Sequence, residues 1–98
     1  MKPIKIQFRR DGIDFRQIRR EGNAAVYELS KPIWSTCRYE TVVILHHSPR
    51  RIGEVEIGAS EGYPCTNQWG RLGWSYPDLA CAKAKLQAIV EKQARKVA

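Results

Sequence analysis

The sequence lacks any apolar run that approaches the ~20 residues of a membrane-spanning helix, so no membrane partner is expected. Cysteine is scarce: Cys37, Cys65 and Cys81 are odd in number and form no CxxC pair. This spacing argues against a disulfide framework and indicates a reducing compartment. We expect all three thiols to be small, partly buried side chains.

The motifs of common enzyme classes are also missing. There is no P-loop, GxSxG or HExxH pattern and no paired-carboxylate arrangement. Cys37 and His47 lie at opposite ends of one predicted strand, roughly 33 Å apart if it is extended, so they cannot share a metal. The sequence therefore predicts a protein that is not an enzyme, with no metal and no cofactor.

The composition is that of one soluble globular domain spanning residues 1–98. Hydrophobic residues make up 43% and charged residues 28% of the chain, which is enough for one modest core. Met1-Lys2-Pro3 leads into alternating residues rather than an apolar stretch, so we expect no secretory leader. We expect a cytoplasmic protein.

Positive charge dominates and is concentrated at the two ends of the chain. There are 17 Lys and Arg against 10 Asp and Glu, a net charge of +7. Residues 1–20 carry seven basic and two acidic groups, and residues 79–98 carry five and one. If the ends meet on one face they form a patch for phosphate or acidic protein; alternatively they are solvated faces that keep a small protein soluble.

Three strands are predicted in the first third of the chain, over residues 4–8, 13–20 and 24–29. Apolar and polar residues alternate in the first, and glycine-containing turns separate all three. In the third we expect Ala25, Tyr27 and Leu29 on one face and Ala24 and Val26 on the other. Phe15 and Ile18 differ in parity within the second strand, so we expect a bulge or a twisted edge there.

The rest of the chain reads as two further strands, a loop and a helix. Residues 38–46 predict a central strand, and residues 52–57 a strand with Val55 and Ile57 facing inward. Residues 58–74 hold four glycines and predict a long ordered loop. Ser75 is the expected N-cap of a helix with Asp78 closing a capping box.

The predicted helix runs from about Tyr76 to the mid-90s and has one apolar stripe, formed by Leu79, Ala82, Leu86, Ile89 and Val90. Strands followed by one helix favour an α+β fold. We expect an antiparallel sheet of about five strands with the C-terminal helix packed on one face.

A candidate binding surface lies in residues 63–76, which hold two of the three tryptophans. Tyr63, Trp69 and Arg71 are residue types that stack on bases or dominate protein interfaces. The alternative is a satellite core in which bulky rings such as Trp69 and Trp74 pin the loop to the sheet.

A second candidate is the basic N-terminal hairpin with Arg16, Arg19 and Arg20. Guanidinium groups form forks with phosphate and carboxylate, and phosphate contacts would make binding depend steeply on salt. The alternative is a charged strand edge that discourages aggregation.

Most of the chain resembles small uncharacterised proteins of phages and mobile elements. The resemblance rests on a hairpin, FRQIRREGNAAVYE (residues 15–28), a strand, YETVV (39–43), and a loop with Tyr63-Pro64, Gln68-Trp69-Gly70 and Gly73-Trp74. Such proteins commonly look like host-takeover or defence-inhibitor factors, including anti-CRISPR proteins. The basic pI of about 9.7 departs from the acidic, DNA-mimicking kind.

Two functions are expected from these observations. The first is a non-catalytic interaction protein, an inhibitor of a host or defence protein complex that acts inside the host cell if the protein is phage-encoded. The second is a nucleic-acid-binding accessory protein that uses the hairpin arginines and the helix lysines. A homodimer is also possible, because an exposed edge strand can pair with its twin.

Overall fold

The computed structural model describes residues 2–97, apart from the side chains of Thr66 and residues 95–97. The predicted helix-end side chains of Arg95, Lys96 and Val97 therefore lie outside the described residues. The elements in chain order are β1 (Gln7–Arg10), β2 (Ile13–Glu21), β3 (Ala24–Ser30), β4 (Arg38–Val43), β5 (Leu45–His47), β6 (Arg50–Ile52), β7 (Val55–Ile57), β8 (Ser60–Gly62), a 3₁₀ turn (Thr66–Gln68), β9 (Gly73–Tyr76) and α1 (Leu79–Val97).

The main sheet has five antiparallel strands in the order β1-β2-β3-β4-β9, and α1 packs on one of its faces. This confirms the predicted α+β fold, sheet and helix position. Two small two-stranded ladders, β5 with β8 and β6 with β7, lie outside the main sheet.

The bulge predicted in β2 is present. The pairing register with β3 shifts between Gln17 and Arg19. The shift does not bring Phe15 and Ile18 to one face. They keep the opposite faces that their odd spacing gives them: Phe15 joins the cluster away from the helix, and Ile18 packs against the helix-side cluster. A tight turn follows β1, where Asp11 and Gly12 adopt φ of 54° and 76°.

Both faces of the sheet are covered. On the helix side, Ala24 and Val26 of β3 pack with α1, whose apolar stripe is the one predicted from the sequence. The buried Thr41 hydroxyl donates to the carbonyl of Ala82 at 2.8 Å and ties the sheet to the helix. On the opposite face, Ala25, Tyr27 and Leu29 pack beneath the segment that carries Tyr63 and Trp69.

The predicted helix start was wrong. Ser75 lies in β9 opposite Glu40, because residues 73–76 pair with β4 as the fifth strand of the sheet. The helix begins at Leu79, and Asp78 is its N-cap: the Cys81 N–H donates to Asp78 Oδ1 at 2.8 Å. This bond lowers the pKa of the Asp78 carboxyl.

Residues 58–74 are not one loop, since they contain β8, the 3₁₀ turn and the first two residues of β9. The predicted strand at 52–57 is also wrong: β6 and β7 form a hairpin with Gly53 at positive φ in its turn. Its side chains do not face inward as predicted, because Val55 is 63% exposed and Ile57 is only half-buried. The predicted strand at 38–46 divides at Ile44 into β4 and β5, since β5 pairs with β8 instead.

Two further expectations were wrong. Ile6 is 67% exposed and lies just before β1, which starts at Gln7 rather than at residue 4, although the Ile6 carbonyl still accepts from the Gln17 N–H of β2 at 2.7 Å. Cys65 and Cys81 are exposed, in a loop and in the first turn of α1, and only Cys37 is partly buried.

Candidate functional site

The hairpin arginines of the predicted site are held in ion pairs. Arg16 reaches Glu28 at 3.1 Å, and Arg19 contacts Glu21 two residues along the same strand. Both arginines are exposed, so each pair contributes little to stability. Their charge is nevertheless balanced locally, and β2 does not present the free positive patch that the sequence suggested.

Arg20 forms the most buried of these pairs. Its two terminal nitrogens donate to the carboxylate oxygens of Glu61 at 2.7 and 2.6 Å, and the Ile4 N–H donates to the same carboxylate at 3.0 Å. The Glu61 side chain is only 8% exposed. The bonds from Arg20 and Ile4 lower the pKa of Glu61 to about 2. Arg20 therefore acts as a clamp between β2, β8 and the N-terminal segment.

Tyr63 lies at the centre of an aromatic cluster that closes the face of the sheet opposite α1. Its ring centroid is 5.6, 5.6 and 5.1 Å from those of Phe8, Phe15 and Tyr27, all in edge-on geometry. The hydroxyl donates to Glu40 Oε1 at 2.6 Å. Burial raises the pKa of Tyr63, and the adjacent Glu40 carboxylate raises it further.

Trp69 is placed over a glycine. A Cβ added to Gly73 would lie 2.5 Å from the Trp69 ring, so only glycine permits this approach. The indole N–H donates to Ser75 Oγ at 3.0 Å, and the ring is half-buried. The structure thus packs Tyr63 and Trp69 against the sheet, as in the satellite-core alternative, and both residues also line an open cleft on this face.

Arg71 is brought to a different surface, at the side of α1. A turn with Gly70 at φ 86° presents the exposed Arg71 side chain. The Val43 N–H donates to the carbonyl of Leu72 at 2.8 Å, which fixes this turn beside β4. Arg71 is therefore separated from the hairpin arginines, which line a different part of the molecule.

A groove of about 470 Å³, the α1 groove, runs between residues 70–74 and the helix. Its charged side chains are Arg71, Lys85 and Lys92, and none of the described residues that line it is a carboxylate. The ammonium of Lys85 lies 4.0 Å from the centroid of the Trp74 ring, a cation–π contact. The groove is thus a positively charged surface without its own counter-charge.

The floor of the α1 groove is apolar: Val43 comes from β4, Leu72 from the turn before β9, Trp74 from β9 and Ile89 from α1. No local sequence pattern indicated this floor, because its residues come from distant parts of the chain. The lysines of the rim did carry a signal, since the seven-residue spacing of Lys85 and Lys92 places both on one helix face. Glu40 was not predicted as a site residue either. The pattern that could have indicated it is a single carboxylate within a predicted strand that is otherwise mostly apolar or aromatic.

Comparison of the chain with protein families, curated proteins and solved structures found no match. Among the described residues, no helix has the combination of length and apolar side chains that crossing a membrane requires, and this includes α1. The site must accordingly be interpreted from its own chemistry.

Proposed function

We propose that this protein is a non-catalytic binding protein whose α1 groove takes an acidic, amphipathic segment of a partner protein. The observation that carries the proposal is the cationic rim of Arg71, Lys85 and Lys92 around an apolar floor. An amphipathic partner segment would bury its apolar side chains on Leu72 and Ile89 and place carboxylates beside the rim. The groove volume lies in the range of ordinary ligand sites.

The polar chemistry of the groove suits binding better than turnover. Its described lining offers cations, one amide and apolar groups, and no carboxylate, histidine, hydroxyl or thiol. Charged rims of this kind speed association and select the partner, whereas the buried apolar contacts slow dissociation.

The resemblance to phage and mobile-element proteins suggests that the partner is a protein of the host cell. On this proposal the protein inhibits a host or defence complex, as anti-CRISPR proteins do, by covering an acidic segment of one subunit. It would act in the cytoplasm of the host cell.

A nucleic-acid-binding accessory function is the second candidate, favoured by the same three cations and by the indole of Trp74. Two observations weaken it. Lys85 already covers one face of that indole, and the arginines expected to contact phosphates are paired with Glu28, Glu21 and Glu61.

Charge reversal separates these functions. A short helical peptide with glutamates beside a leucine stripe should bind the wild type, and the double variant Arg71→Glu/Lys92→Glu should weaken binding by about tenfold or more. Arg50→Glu/Lys83→Glu is the matched control, because it changes the net charge by the same amount and both residues are exposed outside the groove. Isothermal titration calorimetry at two salt concentrations gives the affinities.

Equal weakening by Arg50→Glu/Lys83→Glu would mean that net charge, not the groove, drives binding. Tighter binding of single-stranded DNA than of the peptide, lost in the same double variant, would replace the first proposal with the second.

A further inference from the structure

A second cleft, of about 280 Å³, opens on the face of the sheet that α1 does not cover. It lies between the β1–β2 turn and the segment of residues 63–69. It is lined by the aromatic residues Phe15, Tyr63 and Trp69, by the acidic residues Glu40 and Asp11, and by Arg10. Three ring systems beside two acidic residues, of which Asp11 is exposed and Glu40 half-buried, are a chemically specific arrangement that the α1 groove does not use.

Glu40 is half-buried at this cleft and has no ion-pair partner among the described residues. The Tyr63 hydroxyl donates to Oε1 at 2.6 Å, and the Ser75 hydroxyl makes a long contact of 3.5 Å with Oε2. A carboxylate can accept about four hydrogen bonds, so unused acceptor sites remain. Burial raises the pKa of Glu40, which reflects a charge that its surroundings only partly compensate.

The chain already places one cation beside these rings. The guanidinium carbon of Arg10 lies 5.9 Å from the Phe8 centroid and 5.8 Å from the Tyr63 centroid. The Arg10 side chain is exposed at the end of β1 and, within the described part of the chain, forms no salt bridge with Glu40. The aromatic cluster thus attracts a guanidinium, and the Arg10 charge partly offsets the rise in the Glu40 pKa that burial causes, without forming a salt bridge with it.

We propose that this cleft binds the guanidinium group of a ligand, which pairs with Glu40 beside the rings of Tyr63 and Trp69, and that Arg10 competes for the same aromatic surface. A guanidinium fits better than an ammonium because it is planar, weakly hydrated and able to donate two parallel bonds to one carboxylate. The aromatic faces add cation–π attraction. The ligand can be a free guanidino compound or an arginine side chain of a protein.

Two probes represent these two sources: agmatine and the peptide Gly-Arg-Gly. Chemical shifts of the Trp69 indole N–H report occupancy at constant ionic strength. Both probes should shift this resonance, and putrescine, with an ammonium in place of the guanidinium of agmatine, should bind several-fold more weakly. Tighter binding of the peptide assigns the site to a protein side chain, and tighter binding of agmatine assigns it to a free compound.

Substitutions of Glu40 and Arg10 should change the affinity for agmatine in opposite directions. Glu40→Gln should weaken agmatine binding by about tenfold, because a charge-assisted fork is lost. Arg10→Ala should strengthen it by about threefold or more, because it removes the internal competitor. Glu54→Gln and Arg50→Ala, both exposed on the β6–β7 hairpin, are matched controls that should leave affinity unchanged.

The proposal fails if Arg10→Ala leaves agmatine affinity unchanged or weakens it. It also fails if a folded Glu40→Gln variant binds as the wild type does, or if putrescine and agmatine bind equally. Since Arg10 is exposed, its variant keeps the test decisive even if Glu40→Gln does not fold.

Discussion

Gly73→Ala is expected to lower the free energy of unfolding by about 2 kcal/mol, within the range for overpacked cores. The added methyl group would lie 2.5, 2.7 and 2.9 Å from three carbon atoms of the Trp69 ring. The ring cannot move away cheaply, because its N–H bonds to Ser75 and its other contacts include the Tyr63 ring, stacked at a centroid distance of 6.5 Å. Gly73 is itself buried in β9, so its backbone cannot shift without disturbing the pairing with β4.

Gly58→Ala is the matched control for this prediction. A Cβ at Gly58 meets nothing within 4 Å, and its φ is not in the left-handed region, so stability should stay within about 0.5 kcal/mol of the wild type. Urea denaturation at pH 7 measures both variants.

A double-mutant cycle with Trp69→Ala isolates the contact. Trp69→Ala alone should cost about 2 kcal/mol, less than a fully buried tryptophan. In that background Gly73→Ala should cost almost nothing. Additive losses, or equal stability of the Gly58 and Gly73 variants, would show that Trp69 does not rest on Gly73.

Glu61→Gln is expected to lower the free energy of unfolding by about 2 kcal/mol at pH 7. The carboxylate joins Arg20 and the Ile4 N–H, and its pKa is lowered from 4.5 to about 2 in the folded protein. The expected loss of unfolding free energy is smaller than the full pKa shift would give. Arg20 is still 31% exposed, so solvent screens its attraction to Glu61.

The pH dependence of this loss is fixed by the sign of the pKa shift. A carboxyl whose folded pKa is lowered contributes its full stability above the unfolded pKa and loses it as pH falls toward the folded value. The gap between wild type and Glu61→Gln should therefore be largest above about pH 5 and nearly closed by about pH 2. Urea denaturation across this range, with the exposed Glu54→Gln as control, measures it. A gap that stays constant down to the lowest pH would contradict the Arg20–Glu61 clamp.

Local patterns predicted the first half of the fold well. The alternation in β3 assigned Ala25, Tyr27 and Leu29 to one face and Ala24 and Val26 to the other, as observed. The apolar stripe of α1 was equally clear, because a helix packed on a sheet repeats its contacts every three or four residues.

The later strands were harder to predict for a physical reason. Alternation in residues 52–57 is the same whether a strand joins the main sheet or pairs only with its neighbour. In β9, Gly73 and Ser75 carry little strand preference, and their place depends on β4 and on the ring of Trp69. Tertiary packing decided both elements.

The candidate site depended still more on tertiary structure. Arg20 and Glu61 are 41 residues apart in sequence, so their pairing could not be foreseen from a local pattern. Of the six residues expected to bind, Arg71 alone lines the α1 groove. The structure places Arg16, Arg19 and Arg20 in ion pairs. It packs Tyr63 and Trp69 against the sheet.

Amide chemical-shift mapping of the wild-type protein with the acidic amphipathic peptide tests the proposed binding surface most directly. The largest changes should fall in residues 70–74 and 85–93, on both sides of the α1 groove. Changes confined to residues 16–20, with the groove residues unmoved, would contradict the account.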